Sequence, residues 1–254
     1  MTWNPEQYLK FAEPRLRPAV DLLTRIDAAN PARVFDLGCG AGNVTRLLKA
    51  RWPDAQITGV DDSAAMLTLA AKSLDGVSWV QQSLADWQPK HAADIIYSNA
   101  ALHWLPDHRA LFKKLVDHLA PGGVLAVQMP RNFNAPSHTM IAETVLAGPW
   151  REKLEPLLRP APVAIPDVYY VLLSGLVSNL DIWESEYLQV LDGVNPVKEW
   201  TKGTWLKQFL DALNAPEAAA FEADYAARVR VAYPTRDDGK TLFPFRRLFI
   251  VATK

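Results

Sequence analysis

An acid followed by alternating glycines is the stretch of this sequence best suited to chemistry. Asp36 stands two residues before Gly38, and Gly40 and Gly42 follow at alternate positions before Asn43. Glycine allows positive φ and has no Cβ, so a ligand can approach the main chain of such a loop closely. A carboxylate at this place would repel a pyrophosphate and attract a cation. The pattern therefore indicates a binding site for a positively charged ligand.

The main alternative for a glycine loop of this kind is the dinucleotide fingerprint G-x-G-x-x-G. Here Asn43 occupies the position of its last glycine, and Asp36 disfavours a nicotinamide dinucleotide. S-adenosylmethionine (SAM) carries an ammonium and a sulfonium group and no phosphate. The D-x-G-x-G-x-G pattern resembles motif I of the class I SAM-dependent methyltransferases. That resemblance implies that Asp36, Gly38, Gly40 and Asn43 contribute to a SAM site.

A second acid ends the next predicted strand, Gln56–Asp61. In nucleotide-binding α/β folds a carboxylate at this position accepts two hydrogen bonds from a ribose diol, and we assign that role to Asp61. Asp62 and Ser63 follow directly. Either could cap the next helix, and Asp62 is also a candidate for the cofactor site.

The third predicted strand, 77–82, leads into Ser83 and Leu84. Class I methyltransferases often place an acid here to accept a hydrogen bond from the adenine amino group. Ser83 occupies that position in this chain, so we expect a weaker contact, with Leu84 packing on the ring or bonding through its main chain. Asp86, three residues further on, is expected to be solvated.

The fourth predicted strand, 93–99, ends at the edge of the sheet where open α/β folds bind ligands. We expect Asn99 and Ala100 to contact the cofactor, and His103 and Trp104 to lie beside the transferred methyl group. A surface position for His103 is the alternative. The N/D-P-P-Y/F loop of amide and adenine-N6 methyltransferases is absent, so those activities are not indicated.

The elements that must position these residues alternate along the chain. Strand-like runs are followed by apolar stripes at helical spacing, which predicts an α/β fold with a doubly wound, mostly parallel, seven-stranded, Rossmann-like sheet. Past Met129 the alternation stops, and a helical insertion is expected to cover the active site. The expected organisation is one methyltransferase domain, 1–254: an N-terminal helical flap (1–30), a SAM-binding core (31–129), a substrate-side helical cover with a returning strand (130–240), and the last strand (241–254).

Composition excludes several other classes. The chain has 27 Lys+Arg against 28 Asp+Glu and no long basic run, so a nucleic-acid partner gains no support. The single cysteine excludes an internal disulfide, which fits a reducing, cytoplasmic compartment. No signal-peptide pattern, membrane span, metal-ligand cluster or obligatory protein partner is indicated.

Beyond motif I, the chain resembles the trans-aconitate 2-methyltransferases from end to end. The segments that carry this resemblance are Trp3-Asn4-Pro5, Arg17–Val20, Asp36–Asn43, Arg51-Trp52-Pro53, Trp104–His108, Gly123–Pro130, Tyr169-Tyr170, Asp181–Trp183 and Arg247–Ala252. The resemblance implies transfer of a methyl group from SAM to a carboxylate of trans-aconitate, giving a monomethyl ester and S-adenosylhomocysteine.

Such an acceptor needs no general base, because a carboxylate is already ionised at neutral pH. The catalytic task would be positioning, for which His103, Trp104 and Tyr8 are the candidates. The other carboxylates need cationic and hydrogen-bonding partners, and the candidates are Tyr8, His103, Arg131, Tyr170 and Arg247. Two alternatives are a SAM-dependent O-methyltransferase of another small acid or of a hydroxyl, with His103 as base, and a non-catalytic SAM-binding protein.

Overall fold

The computed structural model describes residues 12–254, with side chains from Leu16 onward. This part of the chain forms two compact units. We call Glu13–Pro130, Pro162–Ser185 and Arg247–Lys254 the sheet unit, and Arg131–Ala161 and Glu186–Arg246 the helical unit. Tyr8 and the rest of the first eleven residues lie outside the described part.

The strands of residues 12–254 are β1 (Arg33–Leu37), β2 (Gln56–Asp61), β3 (Ser78–Gln81), β4 (Ala93–Asn99), β5 (Leu119–Pro130), β6 (Asn179–Leu191) and β7 (Thr241–Thr253). They form a seven-stranded sheet in the order β3-β2-β1-β4-β5-β7-β6, which confirms the predicted fold class. Neighbouring strands from β3 to β5 are parallel, and β7 is antiparallel to β5. The residues 186–191 of β6 and 241–246 of β7 belong to the helical unit. The elements of the first part of the chain are α1 (Ala12–Thr24), β1 (Arg33–Leu37), α2 (Asn43–Arg51), β2 (Gln56–Asp61), α3 (Ala64–Ser73), β3 (Ser78–Gln81), β4 (Ala93–Asn99), a 3₁₀ turn (Leu102–Trp104), α4 (His108–Asp117) and β5 (Leu119–Pro130).

The strand order changes direction at β1, which lies between β2 and β4. Open α/β sheets bind ligands at such a switch point, outside the carboxyl ends of the strands. The loops after β1, β2 and β4 contain most of the polar residues that the sequence singles out. The fold therefore gathers them at one edge.

The C-terminal end of helix α1 and the segment after it are tied to α2 and Trp52 by side-chain hydrogen bonds. Arg51 donates to the carbonyl of Leu23 in the last turn of the helix and to that of Ile26 beyond it, and the indole of Trp52 donates to the carbonyl of Ala28. These bonds fix the exit of the helix. The sequence predicts a helical run from about Arg17 to Ala28, whereas the helix in the structure spans Ala12–Thr24.

Strand β5 begins earlier than the sequence suggests. From the sequence, Pro121-Gly122-Gly123 is expected to end the preceding helix, with the strand starting at Val124. This expectation is wrong, because α4 ends at Asp117 and the strand already begins at Leu119. The register between β4 and β5 shifts next to Ala93. A Cβ on Gly123 would lie 2.8 Å from the carbonyl oxygen of Ala93, so glycine permits this close passage of two backbones.

The helical unit has its own apolar core. Trp150, Trp200, Phe209, Phe221 and Tyr225 are buried there. From the sequence the stretch 195–232 is expected to be helical, and it contains three helices, the last with a capping box between Asn214 and Glu217. The remaining elements of the chain are α5 (Pro136–Ala147), α6 (Arg151–Leu154), a 3₁₀ turn (Glu155–Leu157), α7 (Pro166–Leu173), β6 (Asn179–Leu191), α8 (Pro196–Lys202), α9 (Lys207–Asp211), α10 (Ala215–Ala232) and β7 (Thr241–Thr253).

Between residues 12 and 254, none of the helices is both long enough and apolar enough to span a membrane.

Candidate active site

The glycine loop joins β1 to α2 in a conformation that side chains rarely adopt. Gly38, Gly40 and Gly42 have φ values of 77°, 54° and 80°. A Cβ on Gly38 would lie 2.1 Å from the Cβ of Ala101, so the loop after β4 packs directly on it. A Cβ on Gly40 would meet no atom within 4 Å. Open space therefore lies beside the middle glycine.

Asp61 holds this loop from the end of β2. Its carboxylate accepts hydrogen bonds of 2.9 Å from the backbone N–H groups of Gly40 and Ser63. Each carboxylate oxygen can accept more than one hydrogen bond, so both retain capacity for a ligand. Partial burial raises the pKa of Asp61, and the two N–H donors oppose that rise.

Asp36 is almost completely buried at the end of β1 and accepts a hydrogen bond of 2.6 Å from the hydroxyl of Thr45. Burial raises the pKa of Asp36 to about 7, the bond from Thr45 lowers it, and the charge of Asp61 raises it further. Burial and the same two acids raise the pKa of the Cys39 thiol well above its usual range. Two acids with raised pKa values thus flank the loop, and the raised pKa of Cys39 disfavours the thiolate that a nucleophile would need.

The segment after β4 begins with a strained residue. Ala100 has a φ of 54°, which is uncommon for a residue with a Cβ, and its N–H donates to the carbonyl of Gln128. His103 follows on the 3₁₀ turn and is 6% exposed, so the surface alternative for it is wrong. Its ring lies 4.7 Å from that of Trp104.

Several of the other residues proposed for the cofactor site are more exposed than Asp36 and Asp61. Ser83 is exposed and its hydroxyl accepts from the N–H of Ala85, while Leu84 lies 3.6 Å from the ideal Cβ position on Gly38. Asp62 and Asn43 are exposed at the N-terminal ends of α3 and α2. Ser63 is the N-cap of α3 and accepts from Met66, so Ser63 rather than Asp62 fills the capping role.

A methyltransferase-domain family matches residues 34–123 of this chain. The trans-aconitate 2-methyltransferase of Azoarcus sp. (strain BH72) is 47% identical over 253 residues, covering 100% of this chain and 99% of that protein. The enzyme of the same name from Rhizobium rhizogenes (strain K84) is 42% identical and each chain is covered completely. The chain belongs to the trans-aconitate 2-methyltransferase family.

Solved structures agree on the fold. The YcgJ protein of Bacillus subtilis has a TM-score of 0.57 at 18% identity, with 92% of this chain and 96% of that one covered. Phosphoethanolamine N-methyltransferase 2 of Haemonchus contortus, bound to S-adenosylhomocysteine, has a TM-score of 0.54 at 15% identity. The match covers 94% of this chain and 52% of the Haemonchus contortus protein.

As a methyltransferase, the chain takes its methyl group from SAM, and its glycine loop fits that cofactor. The space beside Gly40 admits a ligand against bare main chain, and Asp61 retains acceptor capacity for hydroxyl groups. Asp36 adds a buried carboxyl group that a cation would keep ionised. Among the described residues, none form a cluster suited to a metal ion.

The residues expected to meet the family's acceptor are not all in one unit. Arg247 lies on β7 in the sheet unit, is 3% exposed, and donates from Nη1 to Oε1 of Gln128 at 3.4 Å. Tyr170 lies on α7 in the same unit and is 60% exposed. Arg131 belongs to the helical unit, where its N–H donates to the carbonyl of Arg246. Tyr8 lies outside the described residues.

One contact within the sheet unit was not predicted from the sequence. His108 accepts at Nδ1 from the hydroxyl of Tyr169 (2.6 Å), because its Nε2 must donate to the carbonyl of Leu102 (3.1 Å). Burial lowers the pKa of His108, which favours the neutral ring that this arrangement needs. The contact anchors α7 to the turn that carries His103. His108 and Tyr169 are far apart in sequence, so no local sequence pattern predicts their contact.

Proposed function

We propose that this chain transfers a methyl group from SAM to a carboxylate of trans-aconitate, giving the monomethyl ester and S-adenosylhomocysteine. The observation that supports this most strongly is the 47% identity to a trans-aconitate 2-methyltransferase over the whole chain. That identity extends over both units, and is not confined to the methyltransferase-domain match at 34–123.

The site needs no base for this reaction. SAM supplies an electrophilic methyl group on a sulfonium, and the acceptor carboxylate is ionised at neutral pH. Asp61 and the glycine loop would hold the cofactor, and Asp36 would balance its positive charge. Because an anion and a cation are both neutralised in the transfer, a site that excludes water favours it. His103 and Trp104 on the 3₁₀ turn, with Tyr8, would position the acceptor.

Recognition of a tricarboxylate must come from local cations, since the formal net charge of the chain is only −1. Arg247 is the best supported candidate because it is buried on β7 beside a polar partner. Arg131, Tyr170, Tyr8 and His103 complete the set that we propose for the acceptor. The cofactor set that we propose is Asp36, Gly38, Gly40, Asn43, Asp61, Asp62, Ser83, Leu84, Asn99 and Ala100.

A second candidate function is methylation of a hydroxyl group, and the burial of His103 favours it. An imidazole on the turn after β4 could remove the proton that a hydroxyl nucleophile must lose. A third possibility, SAM binding without turnover, would leave SAM intact with every acid tested. The lone cysteine is a free thiol, which fits a reducing compartment, and we place the protein in the cytoplasm. We propose no obligatory protein partner.

Methyl-labelled SAM tests the proposal directly. The purified chain is incubated with trans-aconitate, cis-aconitate, citrate, isocitrate and a set of small hydroxy compounds. We expect label in trans-aconitate as a product from which mild alkali releases methanol, as it does from an ester. Label in an alkali-stable ether would support the hydroxyl alternative, and intact SAM throughout would support a binding protein.

A further inference from the structure

A glutamine is completely buried in strand β5, where its neighbours along the chain are apolar. Gln128 is 0% exposed, and Oε1 of its amide accepts from Nη1 of Arg247 at 3.4 Å. A guanidinium only donates, so the amide oxygen must face Arg247 and Nε2 must face away. Within residues 12–254, Nε2 of Gln128 is buried without a hydrogen-bond partner.

A buried NH₂ group without an acceptor opposes folding, so it needs an explanation. The chain contains a comparison. Gln208 in the helical unit is 9% exposed and accepts from Nη2 of Arg159 at 2.8 Å, but its Nε2 donates to the carbonyl of Trp205. Two buried glutamines thus pair with arginines, and only Gln128 keeps its donors unused. A bound molecule that supplies a hydrogen-bond acceptor to Nε2 of Gln128 explains the difference.

The backbone register places Gln128 at the edge of the sheet where the substrate that receives the methyl group would lie. It is opposite Asn99, the last residue of β4, and its neighbour on the same face, Pro130, is opposite Arg247. Helix α1 covers this face, since Tyr97, two residues before Asn99, donates its hydroxyl to the carbonyl of Ala19. Gln128 and Arg247 therefore lie together at the carboxyl edge, beside the segment that carries His103.

Both groups offer only donors to a molecule in this place. A carboxylate accepts from an amide and a guanidinium together. Asn99 is different, because its buried Oδ1 is an acceptor with no partner in the described chain, which suits an ammonium group. The carboxylate of the methyl acceptor thus belongs with Gln128 and Arg247, and the cofactor's ammonium with Asn99.

We propose that Gln128 binds a non-reacting carboxylate of the methyl acceptor through Nε2, beside the guanidinium of Arg247, and so determines specificity for polycarboxylates. This inference rests on the proposed function, because it assumes an acceptor with more than one carboxylate. It adds a residue that sequence reasoning missed. The available signal was a lone polar residue within the apolar run Val124–Met129.

Two substitutions separate the binding role from a structural one. Gln128→Met keeps the volume and removes the donors, and Gln128→Glu keeps the shape but pairs with Arg247 and repels an anion. We expect kcat/KM for trans-aconitate to fall about 10- to 100-fold in Gln128→Met, as for loss of a hydrogen bond to a charged group. The loss should be larger in Gln128→Glu. Most of each change should appear in KM, with the Kd of SAM unchanged by calorimetry.

Gln208→Met and Gln208→Glu are the matched controls, since they alter a buried Arg–Gln pair whose amide is satisfied. They should leave both kcat/KM and the Kd of SAM near the wild-type values. A monocarboxylate acceptor such as crotonate provides a second control, because the Gln128→Met loss should largely vanish when the second carboxylate is missing.

Calorimetry with trans-aconitate, in the presence of S-adenosylhomocysteine, keeps the test independent of turnover. Weakened binding to Gln128→Met supports the inference even if no methyl is transferred, which would overturn only the proposed function. Unchanged trans-aconitate binding, or a weaker Kd for SAM with unchanged acceptor kinetics, would overturn the inference and assign Gln128 to the fold or the cofactor. A wild type that does not bind trans-aconitate would overturn both.

Discussion

The carboxylate of Asp61 accepts a hydrogen bond of 2.9 Å from the N–H of Gly40, which ties the end of β2 to the glycine loop. The other carboxylate oxygen accepts from Ser63 at the start of α3. One acid thus orders the loop and still has acceptor capacity for a ligand. The glycine loop is therefore held in shape by the side chain that we expect to bind the cofactor.

Asp61→Ala should therefore weaken SAM binding. Loss of charged hydrogen bonds to the ribose costs on the order of 1.5–3 kcal/mol, and release of the Gly40 N–H adds disorder to the loop. Calorimetric titration with SAM measures the change. Asp86→Ala, which removes an exposed acid near the same edge, should not alter the affinity. An Asp61→Ala protein that folds and binds SAM normally would remove Asp61 from the site.

Gly40→Ala tests whether the open space beside the loop belongs to the cofactor. The added Cβ meets no protein atom within 4 Å, so the direct cost is backbone strain of about 1–2 kcal/mol. Gly122→Ala introduces a Cβ at a positive φ with equally open surroundings, away from the loop. We expect similar losses of thermal stability, but loss of SAM affinity only in Gly40→Ala. Equal SAM affinities in the two variants would place the cofactor elsewhere.

The pKa of Asp36, raised to about 7 by burial, should make SAM binding depend on pH. A cationic ligand favours the ionised carboxylate, so binding should release protons and the affinity should weaken as pH falls through 7. Calorimetry at pH 6.5 in buffers of different ionisation enthalpy measures this release. It should be absent in Asp36→Asn, and equal proton release in that variant would assign the effect to another group.

The stability of ligand-free Asp36→Asn checks the same pKa independently. An acid whose pKa is higher in the folded chain binds protons on folding between pH 4 and 7, so stability falls as pH rises through this window. Asparagine cannot ionise, so it removes the loss of stability that comes from burying a carboxylate. The variant should have a higher thermal midpoint than the wild type at pH 8 and lose this advantage near pH 4.

Arginine-to-methionine substitutions test recognition of the acceptor. At least one of Arg247→Met and Arg131→Met should lower kcat/KM for trans-aconitate about 30-fold or more, because a desolvated carboxylate loses its partner. Arg246→Met is the control, since Arg246 is exposed and pairs with Glu186 at 3.6 Å. Normal kinetics in both test variants would contradict the substrate assignment, while leaving the methyltransferase activity intact.

The fold and the cofactor loop could be predicted because their signals are local. Alternating apolar stripes mark the strands and helices, and Asp36 with three glycines marks the loop within seven residues. The strand-end position of Asp61 follows from the same periodicity. These features depend on neighbours in sequence, which a pattern records.

The residues proposed to meet the methyl acceptor depend on contacts between elements that are distant in sequence, and a local sequence pattern cannot reveal such contacts. The Gln128–Arg247 contact joins residues 119 positions apart, and the His108–Tyr169 contact joins residues 61 apart. The early start of β5 depends on the close approach of two backbones at Gly123. In the sequence, Pro121 and the glycines after it indicate the end of a helix instead. Each of these features becomes apparent only when the packing of the strands and helices is known.

Methyl transfer by this chain should reach an ionised carboxylate without a general base. Single-turnover transfer from saturating SAM to trans-aconitate, followed between pH 6 and 9, tests it in the wild type and in His103→Ala. We predict an alkali-labile methyl ester, a rate with no inflection in this range, and at most a modest loss in His103→Ala, because no proton must be removed. A rate that rises with a pKa near 7, and that falls to background in His103→Ala with both substrates still bound, would contradict the claim.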